Sequence, residues 1–256
     1  MYEAVRGLVL RETQYKENDK LLSVLTGEQG LITVKARGVK SQKSKLRSGC
    51  GLLTYSSFSL YEKNGFFTVT EAEPIEMFSK LRQDLELLSL GSYFAQVLEA
   101  VSPEQQSDQA LLSLGLNCLY ALDRLGLPQG QVKAAFELRL LCIIGFQPML
   151  EGCGVCGDPN AQEFSPTEGT LSCAVCLREM KHVSFMHISP GVLAAMRYIT
   201  ECDPRRLFSF TLPDKAMGEL GAVTERFLLA QLDQGFSALG FYKRLFPELY
   251  TFEDSL

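Results

Sequence analysis

The spacing of hydrophobic and polar residues changes character along the chain, and each change marks a structural boundary. Over the first eighty residues the period is two. Within Leu31–Arg37, Ile32, Val34 and Ala36 share one face, while Thr33, Lys35 and Arg37 share the other. Phe58 and Leu60 alternate with Ser57, Ser59 and Tyr61 in the same way. Asn64-Gly65 then supplies the two residues with positive φ that a tight type I′ hairpin requires, and Phe67 and Val69 continue the returning strand. Runs near 3–11 and 20–26 bring the count to about five short strands, which suits a small closed barrel. A polar loop, GVKSQKSKLRSGCG, separates the third strand from the fourth.

After Pro74 the period becomes helical. Leu81, Leu85 and Leu88 open a pattern that runs to about Val101 and stops before Pro103. A second helix is predicted from Asp108 to Leu125, closed by Gly126 and Pro128. A third, from about Gln131 to Ile144, is apolar on nearly every side and should lie at the centre of a bundle. Gly145 and Pro148 stop it. Ser189-Pro190 opens another helix as N-cap and first turn, and Leu220, Val223 and Phe227 mark a later one. The order of elements is that of an α+β protein, with strands at 1–79 and helices over 80–256.

The chain of 256 residues, 46% hydrophobic, can bury a full core. Its longest apolar run, Ala134–Ile144, is eleven residues and contains Glu137 and Arg139, too short and too polar for a bilayer span of ~20 residues. The N-terminus lacks the pattern of a secretory signal, so a cytoplasmic protein with reduced thiols is expected. Net charge is −5 but uneven. Residues 1–80 hold twelve Lys/Arg against nine Asp/Glu, the remainder thirteen against twenty-one. Lys35, Arg37, Lys40, Lys43, Lys45 and Arg47 follow one another without an intervening acid, a concentration of charge that suits a polyanion. The plainer reading is a solvated lysine-rich loop.

Eight cysteines are present, and four form two CxxC pairs sixteen residues apart: Cys153, Cys156, Cys173 and Cys176. A CxxC knuckle offers two sulfurs to one ion, and a second knuckle completes a tetrahedral shell. Gly154 and Gly157 favour the first turn. A thioredoxin-like site needs one CxxC at the start of a helix in a βαβ setting, and a disulfide framework needs an oxidising compartment. A catalytic zinc keeps an open position, whereas four thiolates close the shell. The spacing therefore predicts one structural Zn2+ in an insertion spanning 150–180. His182 and His187 lie nearby without a place in the shell. Cys50, Cys118, Cys142 and Cys202 stand alone.

No GxxxxGK[ST], HExxH or GxSxG motif occurs, no GxGxxG follows a predicted strand, and two histidines give little material for acid–base chemistry. Binding is favoured over catalysis. A zinc-ribbon RNA-binding accessory protein of transcription or translation is one reading, and a thiol redox sensor another.

Longer motifs narrow the choice. Gly7-Leu8-Val9-Leu10, Tyr15-Lys16-Glu17-Asn18-Asp19, Thr26, Gly30 and Ala36-Arg37-Gly38 come first. Phe136-Glu137-Leu138-Arg139-Leu140-Leu141 follows, then Gly145-Phe146, Pro148, Leu150 and Cys153-x-x-Cys156-Gly. Together these resemble the RecO family of recombination mediators over essentially the whole chain, in its metal-bearing form. The resemblance implies an N-terminal OB-fold, a helical domain with the zinc insertion, and a non-enzymatic role in DNA repair. It implies binding to single-stranded and duplex DNA, to RecR, and to the acidic C-terminal tail of single-stranded-DNA-binding protein (SSB), with strand annealing and loading of RecA. The six cations would track phosphates, with Arg6, Arg11 and Lys16 as additions, and Tyr61 and Phe66 would stack bases. An acidic, apolar tail needs a slot beside a cation, for which Lys133 and Arg139 are the candidates.

Overall fold

The computed structural model describes residues 2–104, 106–180 and 183–245. Five strands come first: β1 (Tyr2–Gln14), β2 (Lys20–Thr26), β3 (Gly30–Ala36), β4 (Tyr55–Lys63) and β5 (Phe66–Glu76). They close a barrel in the order β1-β2-β3-β5-β4, that of an OB barrel. The long β1 pairs with β2 over Gly7–Gln14 and with β4 over Tyr2–Leu8, with a register shift between Val9 and Arg11 that bends it across the barrel. The last seam is a short parallel contact, Val34 beside Phe67 and Lys35 beside Thr68. The expected alternation holds: Val5, Val9, Leu22, Val24, Ile32, Val34, Phe58, Leu60 and Val69 fill the interior. Asn64 and Gly65 both take positive φ at the β4–β5 hairpin.

Helices α1 (Leu85–Val101) and α2 (Gln109–Tyr120) belong to the same compact unit as the barrel, together with α7 (Ser237–Leu245). Leu8 and Leu10, on the outward side of β1, are as buried as Val9 on the inward side, because α1 and α2 cover that strand. This explains why Gly7-Leu8-Val9-Leu10 reads as a continuous apolar run. Asp84 caps α1 through the amides of Glu86 and Leu87, so the helix begins four residues later than Leu81, which lies buried in the preceding turn. A π-helical turn, Ala121–Leu125, ends α2 at left-handed Gly126. Its buried Asp123 accepts bonds from the amides of Lys80 and Leu81. Gln96 of α1 caps α7 by accepting from Ala238 N at 3.0 Å. That last helix left no separate signature in the sequence pattern.

The second compact unit spans Leu127–Gly235. Its centre is α3 (Gln129–Ile143), buried on nearly every side as its composition predicts, and packed by α5 (Pro190–Glu201) and α6 (Asp214–Leu232). Between α3 and α5 the chain forms a small sheet. β6 (Met149–Cys153), β7 (Glu163–Ser165), β8 (Thr170–Ser172) and β9 (Met186–His187) run in the order β6-β8-β7-β9, and the one-turn helix α4 (Ala174–Leu177) follows β8. The strands are two to five residues long, too short for periodicity to register in sequence.

Two residues of the sequence motifs have structural explanations in the β2–β3 turn. Thr26 Oγ1 donates to the Gly30 carbonyl at 3.0 Å and accepts from Gln29 N at 3.1 Å. Gly30 has φ +61, and a Cβ there would stand 2.2 Å from the Gln106 carbonyl and 2.5 Å from that of Pro103. Both strain and overlap oppose any side chain. Gly30→Ala should lower stability by roughly 1–3 kcal/mol in urea denaturation with an unchanged m-value.

Candidate metal centre and nucleic-acid face

The four cysteine sulfurs lie within 4.8 Å of one another, and Cys156 Sγ stands 3.6 Å from Cys173 Sγ. Four 2.3 Å metal–sulfur bonds at tetrahedral corners would set sulfurs about 3.8 Å apart, so the cluster fits one metal ion and is far too open for disulfides. Cys153 sits at the end of β6 and Cys173 at the N-terminus of α4. The amide of Cys156 lowers the Cys153 thiol to about 6, and that of Cys176 lowers Cys173. Hydrogen bonding to Cys156 and Cys173 pushes Cys176 up to about 12. Backbone amides thus favour the thiolate form at Cys153 and Cys173, and four negative charges could coexist only around a cation.

The first knuckle closes through Gly157 N to the Cys153 carbonyl, 2.8 Å, and the Cys153 amide to the Asp158 carbonyl, 2.9 Å. Gly157 supplies the positive φ, +77. Gly154 does not; its amide donates to Leu171 O at 2.8 Å and ties the knuckle to β8. Arg197 of α5 donates to the Leu150 carbonyl, Gln231 of α6 to those of Pro166 and Thr167, and Phe164 meets Phe227 edge-on at 5.3 Å. The insertion is therefore fixed to its own helices. His187 bonds Glu163 at 2.9 Å and faces solvent; His182 lies outside the described residues.

The six basic residues of the barrel do not form a loose loop. Gly38–Gly51 runs as successive tight turns, with Ser41 N to Gly38 O, Ser44 N to Ser41 O and Cys50 N to Leu46 O. Val39 and Cys50 are buried among the barrel side chains and Leu46 packs against them, so the segment plugs one mouth. Arg37, Lys40, Lys43, Lys45 and Arg47 are all exposed around it. Lys35 is half-buried: its ammonium lies 3.5 Å from Asp19 and 4.4 Å over the ring of half-exposed Tyr15. Asp19 also accepts from Gly38 N at 2.9 Å, and this bond, with Lys35, holds its carboxyl below the usual range. The motifs around Tyr15–Asp19 and Ala36-Arg37-Gly38 thus meet in space.

Strand pairing extends this corner into a row. Lys35 neighbours Thr68, Thr68 neighbours Tyr61, and Tyr61 neighbours Tyr2, all facing outward. At about 4.8 Å per strand step the row spans about 14 Å. The Tyr2 and Tyr61 rings are 5.2 Å apart and both are exposed, as is Phe66 at the hairpin tip. Tyr61 and Phe66 therefore lie on the outer face of the barrel and not in its interior. Tyr15 and Tyr2 were not legible as members of this surface, because only the register places them there. Arg6, Arg11 and Lys16 are all exposed, and Arg11 pairs with Glu99 at 3.0 Å.

The two cations expected to receive an SSB tail are placed differently, and Lys133 is corrected outright. It is 2% exposed, and its ammonium lies 2.8 Å from Glu137 and 2.7 Å from Glu225. Glu137 also accepts from Thr224 at 2.8 Å. An ion so enclosed is not available to a docking carboxylate. Arg139 is half-buried, and its guanidinium donates to the carbonyls of Thr200, at 2.8 Å, and Cys202, satisfying the C-terminal end of α5. Lys133→Ala would remove the cation shared by two buried carboxylates and should cost about 3–5 kcal/mol in chemical denaturation. Arg139→Ala should cost about 1.5–3 kcal/mol.

Residues 1–78 match the family model for the N-terminal region of Recombination protein O, and residues 82–239 match that for its C-terminal region. The DNA repair protein RecO of Acetivibrio thermocellus is 32% identical over 246 residues, covering 95% of this chain and 97% of its own. That of Heliobacterium modesticaldum is 35% identical over 232 residues, covering 87% and 82%. With a five-stranded barrel, a helical region and a four-cysteine centre in the matched order, this chain belongs to the RecO family of DNA repair proteins.

Proposed function

We propose that this protein is a recombination mediator. It binds single-stranded DNA on the outer face of its barrel, and duplex DNA through the same cations. It engages the SSB tail and RecR, and so promotes annealing and RecA loading without catalysis of its own. The observation that carries this reading is the surface joining Tyr15, Lys35, Tyr61, Tyr2 and Phe66 to the exposed cations of the Gly38–Gly51 segment. Single strands expose both phosphates and base faces, and an OB barrel recognises them by pairing cations with the former and aromatics with the latter. Phosphate contacts supply affinity and carry no sequence information. Family membership supports the DNA repair role; the partners are part of the proposal. The tail would dock on the helical region at a cation other than Lys133.

For the metal, four cysteine sulfurs within 4.8 Å of one another favour Zn2+, which takes a closed tetrahedral shell of thiolates without redox chemistry. Cys153, Cys156, Cys173 and Cys176 would hold it, and its contribution would be to folding.

Two measurements test these assignments. Replacing Lys40, Lys43 and Lys45 by alanine removes up to three phosphate contacts, so the slope of log K against log salt should fall by about 2 for single-stranded DNA. Stability should barely change, since the three are exposed. Unchanged affinity and slope would move the DNA site off this segment, and equal or tighter binding of RNA of the same sequence would favour an RNA-binding role. Elemental analysis of fresh reduced protein should find one zinc per chain. Cys153→Ser should release it and lower stability by more than ~2 kcal/mol; protein that is folded and metal-free would overturn the zinc assignment.

A further inference from the structure

One carboxylate ties the loop between β1 and β2 to the root of the basic segment. Lys20 pairs with Ala36 at the end of the β2–β3 ladder, so Asp19, one residue before it, stands where the chain leaves β3. Asp19 Oδ1 accepts from the Gly38 amide at 2.9 Å, and its Oδ2 lies 3.5 Å from the Lys35 ammonium. The backbone adds two more ties: the Asp19 carbonyl accepts from the Tyr15 amide, and the Asn18 carbonyl from the Lys40 amide, each at 3.2 Å. Val39, Leu46 and Cys50 anchor the segment to the barrel interior. Asp19 fixes the turn by which it departs, between the exposed Arg37 and Lys40. Glu17, two residues earlier in the same loop, is also exposed, and its side chain makes no hydrogen bond or ion pair among the described residues.

Resting on the DNA-binding reading above, we infer that Asp19 is a positioning residue for single-stranded DNA: an acid on a phosphate-binding face that raises affinity by ordering the cations around it. By charge alone an acid there repels phosphate, and removing one should tighten binding. Cations that must be ordered on binding instead lose affinity to the side chains they immobilise. The bond to Gly38 sets the direction in which Arg37 and Lys40 leave the barrel, and the ion pair holds Lys35 over the Tyr15 ring, 4.4 Å away. The two effects of this acid have opposite signs, and substitution separates them.

The test follows the anisotropy of a labelled single strand with the full-length protein at one salt concentration, beside amide hydrogen exchange of the free protein. Glu17→Ala should bind as tightly as the wild type or tighter. Asp19→Ala makes the same change of charge but should bind roughly three- to tenfold more weakly, the loss expected when one or two long side chains must be ordered on binding. Asp19→Asn keeps an oxygen for the Gly38 amide and should bind at least as tightly as the wild type. Exchange over residues 38–40 should quicken in Asp19→Ala and not in Asp19→Asn, with the barrel strands unchanged in both. Asp19→Ala that matches or exceeds wild-type affinity makes Asp19 a charge and nothing more, and overturns the inference. Equal weakening in Asp19→Asn does the same, because the bond to Gly38 would then not be the cause. Gly38 and Lys40 amides that exchange in the wild type as fast as in an unfolded chain overturn it without any variant. Wild-type protein that binds no strand would instead remove the DNA-binding reading itself, and with it any such role for Asp19.

Discussion

Closure of the barrel is the constraint on which the N-terminal unit depends. β1 is long and bent enough to pair with β2 along one half and with β4 along the other, and two residue pairs between β3 and β5 complete the ring. A closed sheet has no free edge, and it fixes the inward or outward direction of every side chain at once. Ile32, Val34 and Ala36 must then face the core, and Lys35 and Arg37 must face water. Closure also creates a mouth that has to be filled. Val39, Leu46 and Cys50 fill it, and in doing so they order a segment whose other side chains are mostly cations. The basic surface is thus organised by hydrophobic anchors.

The metal centre answers a different problem. Strands of two to five residues do not sustain a sheet in water. Here the sheet leans on α5 and α6 through Arg197, Gln231 and the Phe164–Phe227 contact, and a metal ion held by the cysteine cluster would add a cross-link between its two loops. Amides aimed at Cys153 and Cys173 prepare two of the sulfurs for a cation before it arrives.

In the second unit three polar residues of an otherwise apolar α3 find their partners within the unit. Gln131 donates to the Phe208 and Phe210 carbonyls, Lys133 joins Glu137 to Glu225, and Arg139 closes the end of α5. Buried ions of this kind add little net stability against an apolar core, but each is costly to leave without its partner. They join α3 to α5, to α6 and to the segment between those two helices.

The alternation of β3 and β4, the Asn64-Gly65 hairpin, the apolar α3, the two CxxC knuckles and the motifs of the family were all legible in the amino-acid sequence. Each is a local pattern, written within a few residues of the element it specifies. What depended on pairing at a distance was not. Lys133 reads as a cation on a helix until Glu225, ninety-two positions later, is brought against it. Tyr15 and Tyr2 become part of one surface with Lys35 and Tyr61 only through strand register. α7 joins α1 through a bond between Gln96 and Ala238, 142 positions apart, and the basic segment from Gly38 to Gly51 is ordered only once Val39, Leu46 and Cys50 have folded into the barrel mouth. Local periodicity determines which elements form and which way they face; tertiary packing alone decides which charges are buried with a partner and which are left for a ligand.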